Sequence, residues 1–283
     1  MTVDQFLTQT RVLIVAGKGG VGKSTVSVAI AQLATQRAVS VAHIELDGKS
    51  LPTGLDASVT QFSLTPGEAL REYLATHGLA RVGQRLESTG ILDLVASTAP
   101  GIDDLLVLGK IKQMEQSREH DLIVVDGPAA GQAIGLLRAA ATMQSTVSSG
   151  PISQQAQEVR NMVGDPARCQ VILVTTPAYT PVVELLETRQ QLIDEVGVAL
   201  GPIIVNGVDH APLGNFDMSG GENADLIAAW KYRQSRRDAQ REAIELLRSR
   251  TEQQVVLLPR YTSETSVVSH MANDLSVALE VTQ

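Results

Sequence analysis

Short apolar runs alternate along the chain with longer segments that carry apolar residues at helical spacing. The runs predicted as buried strands are 11–16, 40–46, 91–96, 121–125, 171–175, 202–205 and 255–258. Helices are predicted over residues 25–36 and 224–250. Continuous apolar strands separated by helices are typical of a parallel sheet covered on both faces. The pattern therefore predicts an α/β fold with a doubly wound, mostly parallel sheet.

Two segments interrupt this alternation and are interpreted as additions to a single domain spanning residues 1–283. A mostly helical insert is predicted at about residues 65–120. A mobile loop is predicted at about residues 207–221, where Pro, Gly, Asn and Ser are frequent. The basic helix that follows is interpreted as amphipathic and solvated, with an inner stripe of apolar side chains. The predicted stripe consists of Leu226, Trp230, Ile244 and Leu247.

The amino-acid composition argues against several kinds of binding partner. The 283 residues carry a formal net charge of −8, and only 3% of them are aromatic. An acidic chain has no overall attraction to nucleic acid or anionic lipid, and stacking platforms for bases are scarce. Cys169 is the only cysteine, so neither an intramolecular disulfide nor a two-cysteine zinc clip is expected. Residues 1–10 lack a signal-peptide pattern and no run of 18 apolar residues occurs, so we expect a cytoplasmic protein.

The most specific motif is a glycine-rich stretch between the first predicted strand and the first predicted helix. Gly17, Gly22, Lys23 and Ser24 match the pattern G-x-x-x-x-G-K-[ST]. Glycines let backbone N–H groups turn inward as an anion nest, and the helix N-terminus adds a favourable dipole. Lys23 is predicted to contact the β- and γ-phosphates, Ser24 to ligate Mg²⁺, and Thr25 to lie near the α-phosphate. The predicted phosphate-binding residues are Gly17, Gly19, Gly20, Val21, Gly22, Lys23, Ser24 and Thr25.

Two aspartates follow predicted strands at the same edge of the sheet. Asp47 comes after the second strand, and Asp126 comes directly after the apolar run 122–125. The carboxyl ends of parallel strands converge on the ligand in doubly wound sheets. Asp47 is predicted to orient the attacking water, although a solvated turn aspartate is an open alternative, and Asp56 is a weaker candidate. Asp126 is predicted to hold Mg²⁺ together with Ser24.

These segments together resemble the arsenite-pump and guided-entry ATPase family, whose guided-entry members target tail-anchored proteins. Residues 17–25 match the phosphate loop of that family, and Lys18 is the extra lysine of its deviant Walker A motif. Residues 126–131 resemble its switch II, and residues 46–49 occupy the switch I position. Residues 108–112 resemble a stretch found in short bacterial members, including actinobacterial ones.

The resemblance implies an Mg²⁺-dependent ATPase that works as a dimer. Lys18 is then a catalytic residue that completes the nucleotide site of the other subunit, as an arginine finger does. The other subunit is a second copy or a paralogous ATPase, and a protein client is expected at the helical insert. Asn206 and Pro259 are implied to contact adenine.

Departures from the family pattern limit what can be carried over. With Cys169 alone, the chain lacks the family's Cys-x-x-Cys zinc clamp and the several thiolates that arsenite capture needs. Residues 206–209, Asn-Gly-Val-Asp, also resemble the guanine-reading Asn-Lys-x-Asp, so Asp209 is a candidate base reader. Adenine is favoured because of the family resemblance.

Three functions remain open on the sequence. The first is a targeting or regulatory ATPase of this family. The second is a partition or positioning ATPase that binds DNA or membrane, which the absence of a basic face in residues 266–283 disfavours. The third is a poorly hydrolysing nucleotide-binding scaffold in a complex with a paralogue.

Overall fold

A parallel β-sheet forms the centre of the protein. The computed structural model describes residues 2–46, 55–76, 78, 81, 101–210, 224–261 and 267–281. In these ranges seven strands pair in the order β3–β2–β4–β1–β5–β6–β7, and every pair is parallel. The strands are β1 (Val12–Gly17), β2 (Val41–Glu45), β3 (Thr60–Ser63), β4 (Leu122–Ala129), β5 (Cys169–Thr175), β6 (Ala199–Val208) and β7 (Val255–Pro259). The predicted doubly wound α/β fold is confirmed.

Helices connect the strands and cover both faces of the sheet. In the described ranges they are α1 (Val3–Thr8), α2 (Lys23–Gln36), α3 (Pro66–Thr76), α4 (Ile102–Ser117), α5 (Ala130–Thr146), α6 (Pro151–Val163), α7 (Tyr179–Gln191), α8 (Ala224–Ser249) and α9 (Val267–Val281). A short π-helical turn, Leu192–Val196, continues α7. The predicted strand at residues 91–96 lies outside the described residues.

Alternating side chains of the buried strands supply two separate hydrophobic cores. In β1, Leu13 and Val15 pack on the face covered by α1, α2 and α9. Val12 and Ile14 pack on the opposite face, against α4 to α8. Because both faces are dry, every residue of β1 is buried, which explains the continuous apolar run in the sequence.

The helices of the predicted insert pack into the second of these cores. Leu105, Leu108 and Ile111 of α4 are buried there. Lys110 of α4 forms an ion pair with Glu72 of α3, with the Nζ and Oε1 atoms 2.5 Å apart. In the described part of residues 65–120, these helices therefore extend the sheet's own core. The boundaries of the insert and of the single domain stay predictions.

The C-terminal half contains parts of the predicted basic helix, the predicted mobile loop and the last helix, α9. Leu226 is 52% exposed, so its place in the predicted inner stripe of α8 is wrong, whereas Ile244 and Leu247 are buried. Gly207 and Val208 belong to β6, and residues 211–221 lie outside the described ranges, so the mobile loop at about residues 207–221 stays a prediction. In α9 the apolar side chains of Met271, Leu275 and Leu279 are buried, and the helix packs chiefly against α2.

No helix in the described ranges combines the length and the apolarity needed to cross a bilayer.

Candidate functional site

The predicted phosphate loop joins β1 to α2 and has a backbone shape that requires glycine. Gly20 and Gly22 have φ of +81° and +93°, in the left-handed region that other residues rarely adopt. Gly17 packs against β5 so closely that a Cβ atom would lie 2.2 Å from the carbonyl oxygen of Val174. Any side chain at these positions would strain or displace the loop.

The loop curls back over its own lysine. The Nζ atom of Lys23 donates a hydrogen bond to the carbonyl oxygen of Lys18, at 3.4 Å. Ser24 is exposed in the first turn of α2, Thr25 is half-buried, and Val21 is buried below the loop. The N-cap, Gly22, has no side chain to accept hydrogen bonds from the first-turn amides. These amides and the helix dipole therefore suit an anionic ligand.

Asp126 lies on the strand next to the phosphate loop. It is the register partner of Val15 in β1 and is only 5% exposed. On its other side its register partner is Glu45 of β2, which is 2% exposed. Two carboxyl side chains therefore occupy neighbouring strands beside the loop. Glu45 was not among the site residues predicted from the sequence, although its alternation with Val41 and His43 places it on the sheet face covered by α2.

Of the two aspartates predicted to orient the attacking water, Asp47 and Asp56, the structure describes only Asp56. Asp47 lies outside the described residues, so its role stays a prediction. Asp56 is exposed, and its Oδ1 atom accepts hydrogen bonds from the backbone N–H and the hydroxyl of Ser58, at 2.9 and 2.6 Å. These bonds lower the pKa of Asp56 below its usual range. Asp56 thus stabilises a local turn, which weakens the case for it as a catalytic group.

Lys18 of the loop forms an ion pair with α7. Its Nζ atom lies 2.5 Å from Oε1 of Glu184 in α7, and the two side chains are 53% and 40% exposed. Exposed ion pairs of this kind contribute little to stability because water and salt screen them. Lys18 is therefore accessible from solvent at the surface beside the site.

The two residues implied to contact adenine lie at the same edge of the sheet. The Nδ2 atom of Asn206, near the end of β6, donates a hydrogen bond to the carbonyl oxygen of Val21, at 2.9 Å. Pro259 ends β7 and is the register partner of Val208. A cleft of about 1,210 Å³ opens from the phosphate loop toward α8. Its lining includes Gly20, Thr176, Asn206, Tyr232, Arg236 and Arg260.

Asp209, the candidate guanine reader, is held by α8. Its two carboxylate oxygens accept hydrogen bonds from Nε and Nη2 of Arg233, at 3.2 and 3.1 Å. The backbone N–H of Asp209 also donates to Oε1 of Gln240, at 2.9 Å. Both carboxylate oxygens are engaged, so reading guanine would require this ion pair to break. The arrangement counts against Asp209 as a base reader.

A buried serine–histidine pair lies beneath the phosphate loop. The Oγ atom of Ser27 in α2 and the Nε2 atom of His43 in β2 are 3.0 Å apart, and both side chains are fully buried. Burial disfavours the charged imidazolium and lowers the pKa of His43 to about 4. His43 is therefore neutral at physiological pH and couples the loop helix to β2.

The sequence of this chain matches a known protein family. A family model described as anion-transporting ATPase matches residues 10–155, just over half of the chain. The chain belongs to this family. The match includes the phosphate loop, Lys18 and Asp126, so the family expected from the sequence is confirmed.

Individual relatives agree with the family. The chain is 27% identical over 225 residues to ATPase BagA of Mycobacterium tuberculosis, covering 71% of this chain and 66% of that protein. It is 24% identical over 212 residues to ATPase GET3 of Chaetomium globosum, covering 69% and 62% of the two chains. A protein of Halobacterium salinarum named for arsenical pump driving is 26% identical over 230 residues, covering 70% of this chain.

The chain spans only part of these relatives. The matched region covers 66% of the length of the mycobacterial protein and 35% of that of the halobacterial one. Their whole-protein activities therefore transfer to this chain only as proposals.

Proposed function

We propose that the protein binds ATP with Mg²⁺, hydrolyses ATP to ADP and phosphate, and acts as a nucleotide-switched dimer in targeting or regulation. The phosphate loop carries this proposal. Gly20 and Gly22 have the positive φ values that suit an anion nest, the loop curls over Lys23, and buried Asp126 lies on the strand next to β1. Membership of an ATPase family supports the same reaction.

The residues around the loop fit a triphosphate and a hard cation. Lys23 and the loop amides would hold the phosphate oxygens, and Ser24 and Asp126 would hold Mg²⁺ through oxygen atoms, which this ion prefers. When bound, Mg²⁺ neutralises charge on the phosphates. In the proposal Asp47 orients the attacking water. Asp126 is suited to a cation because its carboxylate supplies hard oxygen ligands from a buried position beside the loop.

The accessible side chain of Lys18 supports the proposed dimer. A side chain that is half exposed beside the site can leave Glu184 and reach the nucleotide of a facing subunit. ATP would favour that arrangement and ADP would disfavour it, because only a ligand with different affinities for two states shifts their populations. The facing subunit is a second copy or a paralogous ATPase, and a protein client at the helical insert completes the proposal.

The buried thiol counts against capture of arsenite. Cys169 is fully buried in β5, and burial raises the pKa of its thiol to about 12. The thiolate, which is the soft ligand, is therefore scarce at neutral pH. Because the thiolate is scarce, we do not transfer the arsenical substrate in the name of the halobacterial relative to this chain.

Positioning on a membrane or on DNA is the competing function. Membrane binding by α9 is disfavoured because its buried apolar residues pack inside the protein. DNA binding rests on the basic residues of α8, of which Arg233 and Arg241 are paired with Asp209 and Asp238. A salt-sensitive mobility shift with duplex DNA would favour this alternative over the targeting or regulatory role.

The deciding experiment measures ATP turnover and molecular mass together, with and without Mg²⁺-ATP, for the wild type and Lys18→Ala. We expect ATP to increase the mass from monomer to dimer, and Lys18→Ala to lose turnover while it still binds ATP. A wild-type protein that binds ATP but stays monomeric and inert would exclude the self-contained homodimer. In that case a scaffold acting with a paralogue becomes the better model.

A further inference from the structure

Asn206 reaches the phosphate loop from a strand that lies 185 positions away in sequence. Its Nδ2 atom donates to the carbonyl oxygen of Val21 at 2.9 Å, and its side chain is partly buried. A second observation is independent of this hydrogen bond. A Cβ atom on Gly22 would lie 2.3 Å from the same Nδ2 atom. The carboxamide therefore fills the space that any side chain at position 22 would need.

The hydrogen bond fixes the orientation of one peptide group of the loop. The carbonyl of Val21 and the N–H of Gly22 belong to the same trans peptide, so they point in opposite directions. When Asn206 holds the carbonyl on the side of β6, the N–H of Gly22 is directed to the other side. An anion nest depends on N–H groups that are held in this way.

The flanking glycines make the loop flexible, so this hydrogen bond restrains a backbone that would otherwise change conformation easily. Gly20 and Gly22 have positive φ values, and glycine visits many backbone conformations. Without an external anchor, the peptide between Val21 and Gly22 would be free to rotate in the absence of ligand. An anchored loop loses less conformational entropy when it binds phosphate.

We propose that Asn206 is a positioning residue that braces the phosphate loop, and that it therefore strengthens binding of the triphosphate itself, independently of the base. This inference rests on the proposed nucleotide function and deepens it. The sequence predicted only a contact with the base. The brace requires an N–H donor at position 206, because the carbonyl of Val21 can only accept.

A ligand that has no base separates the two roles. Affinities for ATP and for inorganic tripolyphosphate are measured calorimetrically on the full chain with Mg²⁺, for the wild type and Asn206→Ala. We expect both affinities to fall by the same factor, about three- to tenfold, which corresponds to one lost hydrogen bond. A loss for ATP with unchanged tripolyphosphate affinity would overturn the brace and leave Asn206 as a base reader.

A control variant removes side-chain hydrogen bonds at the opposite end of the strands. In Gln253→Ala, Nε of Arg189 loses its acceptor at 2.7 Å, and the hydroxyl of Thr251 loses the same acceptor, just before β7 begins. We expect this variant to bind both ligands as the wild type does. Asn206→Asp, which keeps the shape but has no donor, is the second variant if Asn206→Ala folds poorly. It should lose affinity for both ligands at least as strongly.

Hydrogen exchange of the free protein separates failure of this inference from failure of the nucleotide function. Exchange of the amides at residues 19–24 should be faster in Asn206→Ala than in the wild type and in Gln253→Ala. Unchanged exchange there would overturn the brace. Faster exchange in a protein that binds neither ligand would retain the brace and reject the nucleotide function.

Discussion

The Nζ atom of Lys18 and the Oε1 atom of Glu184 lie 2.5 Å apart and join the phosphate loop to α7. The two residues are 166 positions apart in sequence, and both side chains are substantially exposed. In the proposed dimer, this exposed ion pair would face the other subunit. Because exposed pairs are weak, it presents only a small barrier to movement of Lys18.

We expect Lys18→Ala to bind ATP within about threefold of the wild type and to lose turnover by about a hundredfold or more. In the proposed dimer, the variant lacks the cation that completes the other subunit's site. Phosphate release and ATP affinity measure the two effects. Glu184→Gln breaks the same ion pair but keeps the lysine, so it should retain turnover. Equal losses in both variants would mean that activity needs the ion pair within one chain.

Gly22→Ala is expected to lower the free energy of unfolding by about 1–3 kcal/mol. The new side chain would adopt a left-handed backbone conformation and collide with Asn206. Urea unfolding in the absence of nucleotide measures the change. Gly19→Ala is the control, since a Cβ there has no described atom within 4 Å, and its change should stay within about 0.5 kcal/mol. Equal stability of the two variants would contradict the observed geometry.

Asp126→Asn should remove the dependence of nucleotide affinity on Mg²⁺. An amide keeps the size of the carboxylate but loses the charge that the cation requires. ATP affinity is compared in Mg²⁺ and in EDTA, and the ratio of the two should fall toward one in the variant. Glu45→Gln tests the neighbouring carboxylate, and a larger effect there than at Asp126 would reassign the metal role.

The lowered pKa of His43 predicts that the free energy of unfolding decreases in acid. Its pKa is about 4 in the folded protein and 6.5 in the unfolded chain, so the unfolded state binds a proton first as pH falls. The contribution is fully present above pH 6.5 and is lost between pH 6.5 and 4. We expect about 2 kcal/mol of destabilisation from this residue between pH 7.5 and 5. Urea unfolding of the wild type and His43→Gln at both pH values should show it as a difference, and parallel pH profiles would refute it.

Local sequence patterns determined most of the architecture. Runs such as 121–125 predicted buried strands, and the spacing of Gly17, Gly22, Lys23 and Ser24 predicted the loop between β1 and α2. The buried strands and the position of the loop could be predicted because both depend on contiguous residues, whereas phosphate binding by the loop stays a prediction. β3 was missed because Thr60–Ser63 is a short, partly exposed strand with mostly polar side chains. Leu226 was misassigned because helical spacing cannot tell where a covering partner ends.

The tertiary structure decided which distant residues meet. Strand order cannot be deduced from periodicity, yet it makes Glu45 the neighbour of Asp126. It also brings Asn206 to Val21, and Asp209 to Arg233, which engages both carboxylate oxygens of Asp209. The sequence by itself determined the position and the glycine pattern of the loop, since that motif needs only neighbouring residues. The supports around the loop come from β2, β4, β6 and α7, and only packing of the whole sheet brings them together.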